Sequence, residues 1–286
     1  MIADTVTIRH DKWLALVCPR LGANVIKLTY EGRDVLRPLN DEAELKINPY
    51  LQGAPILMPA NRTHKGKFTF EGKEYTLPLN EPQNDCNLHG SVLYQSFQTL
   101  SVTENEAVMR LTDTNGESYP FPFELTVRYT LSEQGLLSEY VVKNIGKGNM
   151  PLTFALHTTF VEPDEFTIPI DLCQEKDAHH VPTGRYIELD DQQKRYVTGS
   201  PSSGINITGY FRSCGNVARI GDYLYTVSDN FDHWITFNGQ GKRGLLCIEP
   251  QSGRVNALNG PFDEGSYRLL SPGEDITFKT LISENK

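Results

Sequence analysis

Five apolar side chains at every second position, Phe123, Leu125, Val127, Tyr129 and Leu131, constrain this chain more than any other feature. Period-two alternation puts all five on one face of a β-strand, which helical spacing cannot do. Ser132-Glu133-Gln134-Gly135 then turns the chain, and Leu137, Tyr140 and Val142 continue in a returning strand. Shorter runs of the same kind recur at Thr5 to Arg9, Trp13 to Val17, Asn24 to Tyr30, Ile205 to Tyr210, Tyr223 to Val227, Trp234 to Phe237, Leu245 to Ile248 and Ile276 to Ile282. The 23 Gly and 17 Pro interrupt these runs at short intervals, which favours an all-β sandwich over alternating βα units. No helical stripe exceeds a turn or two, and Asp41 to Lys46 is the best short one. Residues 190–204 are polar and rich in Gly and Ser, and they read as a surface loop. No linker or fixed-period repeat divides the 286 residues, so residues 1–286 are expected to form a single all-β domain.

Charge and cysteine usage narrow the partners. A formal net charge of −9 argues against a nucleic-acid partner, which needs a basic surface. The N-terminal residues Met1 to Arg9 lack the apolar core of a signal peptide, and no run approaches the ~18 apolar residues of a membrane helix. Cys18, Cys86, Cys173, Cys214 and Cys247 are odd in number, widely spaced and without a C-x-x-C pair. Reduced thiols in a cytoplasmic protein are expected, with neither a disulfide framework nor a structural zinc site.

The stretch from Asn61 to Phe97 carries most of the chemistry. Phe68 and Phe70 alternate with polar residues, Glu71-Gly72-Lys73 turns the chain, and Tyr75 and Leu77 alternate back as a β-hairpin. The hairpin would bring Arg62 and His89 to one rim; Arg offers a planar fork of donors, and His titrates near neutral pH. His89 precedes Gly90, where a turn histidine bonding its own backbone is the ordinary alternative to an imidazole that donates to a sugar oxygen. Glu249 ends the apolar run Leu245 to Ile248. It is either solvated at a strand end or held in a cleft beside Cys247, where desolvation would raise its pKa toward that of a useful base. His157 lies in the apolar run Phe154 to Phe160, where a satisfied core histidine is the ordinary alternative to a functional one. Arg62, His64, Lys65 and Lys67 form a basic cluster that suits either a solvated hairpin end or a sugar phosphate. His179-His180 is discounted as a metal pair because neighbours on an extended chain point apart, and Gly239 to Gly244 lacks the spacing of a P-loop.

Taken in order, these residues resemble the aldose 1-epimerase (galactose mutarotase) family. That family carries N-R-I-x-x-G-x-F-x-x-x-G-x-x-Y-x-L-x-x-N followed by L-H-G. Asn61, Arg62, Gly66, Phe68, Gly72, Tyr75, Leu77, Asn80 and Leu88-His89-Gly90 match it. Leu152 to Phe160, Cys247 to Ser252 and Leu270 to Glu274 are similar to three further family segments. The resemblance implies a large antiparallel β-sandwich with a sugar site in a cleft on one sheet. It implies Glu249 as the catalytic base and His157 as the catalytic acid. His89, Arg62 and Asn61 would bind the substrate, and no metal or cofactor would be needed. The expected partner is a small-molecule sugar, handled by a monomer or homodimer. The reaction implied is interconversion of the α and β anomers of a hexose or related sugar. A sugar-phosphate epimerase and a non-catalytic carbohydrate-binding protein are the alternatives. One departure is plain: the family's sugar-binding Asp has no counterpart in Gly204 to Arg212, where Thr208, Tyr210 or Arg212 could face the sugar instead.

Overall fold

A computed structural model describes every residue of the chain except 1, 3, 261, 262 and 264. Its largest sheet has nine antiparallel strands, and the alternating segment Phe123–Ser132 sits near its middle, paired with Gly135–Asn144. Leu131 faces Leu136 and Ser132 faces Gly135, so Glu133 and Gln134 form the two-residue turn. All five alternating side chains from Phe123 to Leu131 are fully buried. On the returning strand Leu136 takes the inward position ahead of Tyr140 and Val142, and Leu137 is half-buried.

A second sheet of eight strands carries the chemistry. In chain order its strands are β1 (Ile56–Leu57), β2 (Ala155–Leu156), β3 (Thr159–Val161), β4 (Ile170–Lys176), β5 (Pro182–Glu188), β6 (Thr208–Ser213), β7 (His233–Phe237) and β8 (Leu245–Gln251). Across the sheet they run β5-β4-β6-β7-β8-β2-β1, with β3 also paired to β8. The two large sheets meet through aromatic rings. Tyr225 of the nine-stranded sheet lies 5.5 Å from Phe160 and 6.1 Å from Trp234, and Phe278 stacks on Phe154 at 4.6 Å. Such contacts bury large apolar areas and fix ring geometry, so the core lies between the sheets.

Alternation then decides which side chains leave that core. On β7 and β8, Trp234 and Ile248 point inward; Ile235 and Glu249, directly opposite one another, point to the other face. Every residue of β8 is nonetheless buried, and Tyr50, Arg62 and His89 line the cavity at Glu249. The hairpin Lys67–Phe70 with Lys73–Thr76 packs Phe68, Phe70 and Tyr75 against Phe121. Its base is closed by a short ladder between Arg62–His64 and Cys86–Leu88.

Two short helices complete the comparison with the sequence. Ala43–Ile47 falls within two residues of the expected Asp41 to Lys46 turn. Asp191–Thr198 lies inside the stretch read as a loop, and that reading is corrected. Asp190 and Gln193 form a reciprocal capping box, and Tyr196 is buried against Phe166 and Phe211. All five thiols are free, and among the described residues no helix is long and apolar enough to cross a membrane.

Candidate active site

Register brings the two proposed catalytic groups together. Ala155 of β2 faces Gln251 of β8, and Thr159 of β3 faces Cys247, so His157 falls opposite Glu249 in the same antiparallel register. The ladder opens at this point. The His157 amide donates to the Pro55 carbonyl at 2.9 Å, and the Ile248 amide donates to the Thr158 carbonyl at 3.0 Å. Opposed residues share a face, and His157 Nε2 lies 3.4 Å from Glu249 Oε1. Both side chains are buried at the floor of a cavity of about 400 Å³.

Burial dominates the titration of this pair. It raises Glu249 to about 8, against a weaker opposing pull from Arg62, and it lowers His157 to about 4. Both shifts favour uncharged forms. Burial thus pushes a proton shared by the pair toward Glu249.

The wall beside the pair is built by the Asn61–His89 segment. Asn61 adopts a left-handed backbone, which Asn tolerates, and its carbonyl accepts the His89 amide at 2.8 Å. Asn80 uses its side-chain amide as a strand mimic, donating to the Leu88 carbonyl at 2.8 Å and accepting the Leu88 amide at 2.6 Å. Gly90 has a positive φ of 61°, and a Cβ there would stand 2.1 Å from the Met58 carbonyl oxygen, so only glycine fits. The His89 ring is consequently wedged edge-on between Tyr50, at 4.7 Å, and His157, at 5.3 Å. The ring is buried, and burial together with the neighbouring His157 holds its pKa well below the ordinary value.

Arg62 lines the same cavity with much of its fork already engaged. Nε and Nη2 donate to the two oxygens of Glu81 at 2.7 and 2.6 Å, and Nη1 donates to the Tyr210 hydroxyl at 2.6 Å. The basic cluster read around Arg62 is split. Lys67 pairs with Glu74, and His64, Lys65 and Lys67 line a separate surface groove. Of the residues weighed for the missing Asp, Thr208 and Tyr210 line the cavity, whereas Arg212 makes a two-point pair with Asp171. His180 also reaches the cavity. Sequence reasoning did not find Tyr50, Glu81 or Lys176, whose side chains also line it. Glu81 and Lys176 belong to no pattern of spacing, and Tyr50 follows a helix too short to announce itself.

Among the described residues, ligand atoms of His157, Cys247 and Glu249 lie within 4.8 Å of one another. A metal held there would have to displace the proton of Glu249 and that of the Cys247 thiol, which burial pushes far up.

A family model for aldose 1-epimerase matches residues 4–283. The galactose mutarotase of Rattus norvegicus is 32% identical over 283 residues, covering 84% of this chain and 80% of that protein. An uncharacterised Escherichia coli protein, YihR, is 24% identical over 275 residues, covering 91% of this chain and 87% of its own length. The fold is shared with a galactose mutarotase-like protein from Clostridium acetobutylicum, at 22% identity and a TM-score of 0.89 over 97% of this chain and 94% of that one. It is shared as well with a putative aldose 1-epimerase of Escherichia coli K12, at 18% identity and a TM-score of 0.85 over 98% of each chain. By the extent of these matches, the chain belongs to the aldose 1-epimerase family.

Proposed function

We propose that this protein interconverts the α and β anomers of an aldose by acid–base ring opening, with Glu249 and His157 as the acting pair. The observation that carries the reading is the buried contact of 3.4 Å between them on the cavity floor. Opening begins with Glu249 as carboxylate and His157 as imidazolium. Glu249 takes the proton of the C1 hydroxyl, His157 gives its proton to the ring oxygen, and the bond between C1 and that oxygen breaks. The open-chain aldehyde then sits beside a protonated Glu249 and a neutral His157. Rotation about C1–C2 presents the other carbonyl face, and the reverse transfers close the ring with opposite anomeric configuration. Atoms and protons balance over the cycle, and no redox step is involved.

The pKa shifts have a direct consequence for rate. Burial favours protonated Glu249 and neutral His157, so opening proceeds from the less favoured arrangement, in which the shared proton has moved to His157. Positioned acids and bases contribute about a hundredfold to ten-thousandfold each. The second carboxylate of the cavity, Glu81, spends both oxygens on Arg62, which argues against the paired free carboxylates of glycoside hydrolysis. His89, Asn61 and Arg62 would bind the ring and its hydroxyls. Polarimetry of freshly dissolved α-glucose and α-galactose tests the reading: catalytic amounts of protein should speed the decay to equilibrium rotation. Binding of these sugars without any acceleration would identify a carbohydrate-binding protein instead.

A further inference from the structure

Among the described residues, one cation of the cavity has no ion-pair partner. Lys176, the last residue of β4, lines the cavity at the edge away from the catalytic pair. β4 lies three strands from β8, or roughly 14 Å at about 4.8 Å per strand, and the flexible four-carbon stem of Lys176 reaches part of the way back. Its ammonium stands over the Tyr210 ring, 4.7 Å from the centroid, which holds the charge at the cavity wall. Among the described residues no carboxylate forms an ion pair with it. Among the described residues two acids line the cavity: Glu81 is committed to Arg62, and Glu249 lies beside His157. Burial and nearby Arg62 both hold the Lys176 pKa below the ordinary lysine value, as expected of a cation lacking a counter-charge.

We propose that the sugar taken by this cavity carries an anionic group, a phosphate or a carboxylate, on the carbon farthest from C1, and that Lys176 recognises that group. The inference rests on the anomer-interconverting reading for the orientation of the sugar, with C1 at Glu249 and its far end toward Tyr210 and Lys176. Arg62 cannot take the part of Lys176, because Glu81 already occupies it as a two-point partner. An incoming anion would supply the counter-charge Lys176 lacks, by a charge-assisted hydrogen bond that neutral sugars cannot make.

Calorimetric binding, read alongside polarimetric turnover, tests this on glucose and galactose, their 6-phosphates and their uronic acids. The wild-type protein should bind at least one anionic series roughly tenfold or more tightly than the neutral sugars. Whether the 6-phosphates or the uronic acids gain tells which anion the site takes. Lys176→Met should erase that preference and leave neutral-sugar binding within about twofold, while Lys176→Arg, which keeps the charge, should retain most of it. Equal or tighter binding of neutral sugars by the wild type, or a preference that survives in Lys176→Met, would overturn the inference. Acceleration of neutral-sugar mutarotation without an anionic preference refutes the anion subsite alone. A preference for anionic sugars without acceleration of any sugar refutes the catalytic reading and leaves the subsite standing.

Discussion

Glu249 and His157 are best understood by counting their protons. In the proposed mechanism the active form is the one in which the pair holds a single proton, whichever partner carries it at a given moment. Below about 4 the pair takes up a second proton at His157, and above about 8 it loses the one it has at Glu249. Turnover should therefore follow a bell with limbs near those values, and the two limbs belong to the pair as a unit. A pH profile of kcat checks this; a rate that stays flat from pH 6 to 10 would contradict it. The resemblance to the family named both residues, but their environment was only half apparent. Alternation placed Glu249 on the face of Cys247, as found. What the chain could not disclose was that β2, β3 and β8 share one register that sets His157 against Glu249.

Among the elements, the short ladder from Arg62–His64 to Cys86–Leu88 has a role beyond its size. It fixes the start of the Leu88-His89-Gly90 turn, and Asn80 locks its last residue through two hydrogen bonds. Asn80→Ala removes both bonds at an exposed position, so the stability loss should be modest, about 1 kcal/mol. Its larger effect should be on sugar binding, because His89 hangs from that ladder. KM should rise about fivefold or more with kcat nearly unchanged, as expected when binding is lost equally in ground and transition states. A variant with unchanged KM and depressed kcat would assign the ladder to catalysis instead. The hairpin from Lys67 to Thr76 was readable because alternation and a glycine turn are local signals. The helix Asp191–Thr198 escaped because one buried residue, Tyr196, gives no stripe to detect; its capping box, Asp190 with Gln193, was the only written sign.

On the scale of the whole molecule, the site collects residues from distant parts of the chain. Tyr50, Arg62, His89, His157, Lys176, Tyr210 and Glu249 lie far apart in sequence and converge on one cavity. The all-β class was readable because short alternating runs and frequent turns are spread along the full sequence. The strand order across each sheet was not, since pairing partners are set by packing between distant segments. A site assembled in this way should be lost together with the core. Denaturant unfolding followed by tryptophan fluorescence and by circular dichroism should give one coincident transition, and limited proteolysis should release no stable half. Two separable transitions would divide residues 1–286 into independent units. The most direct measurement is the polarimetric rate of the wild-type protein against Glu249→Gln, with sugar affinity measured on both. Loss of the carboxylate should lower kcat about a hundredfold or more while affinity stays within a few-fold. Near-normal mutarotation by Glu249→Gln would contradict the assignment and place the base on another residue.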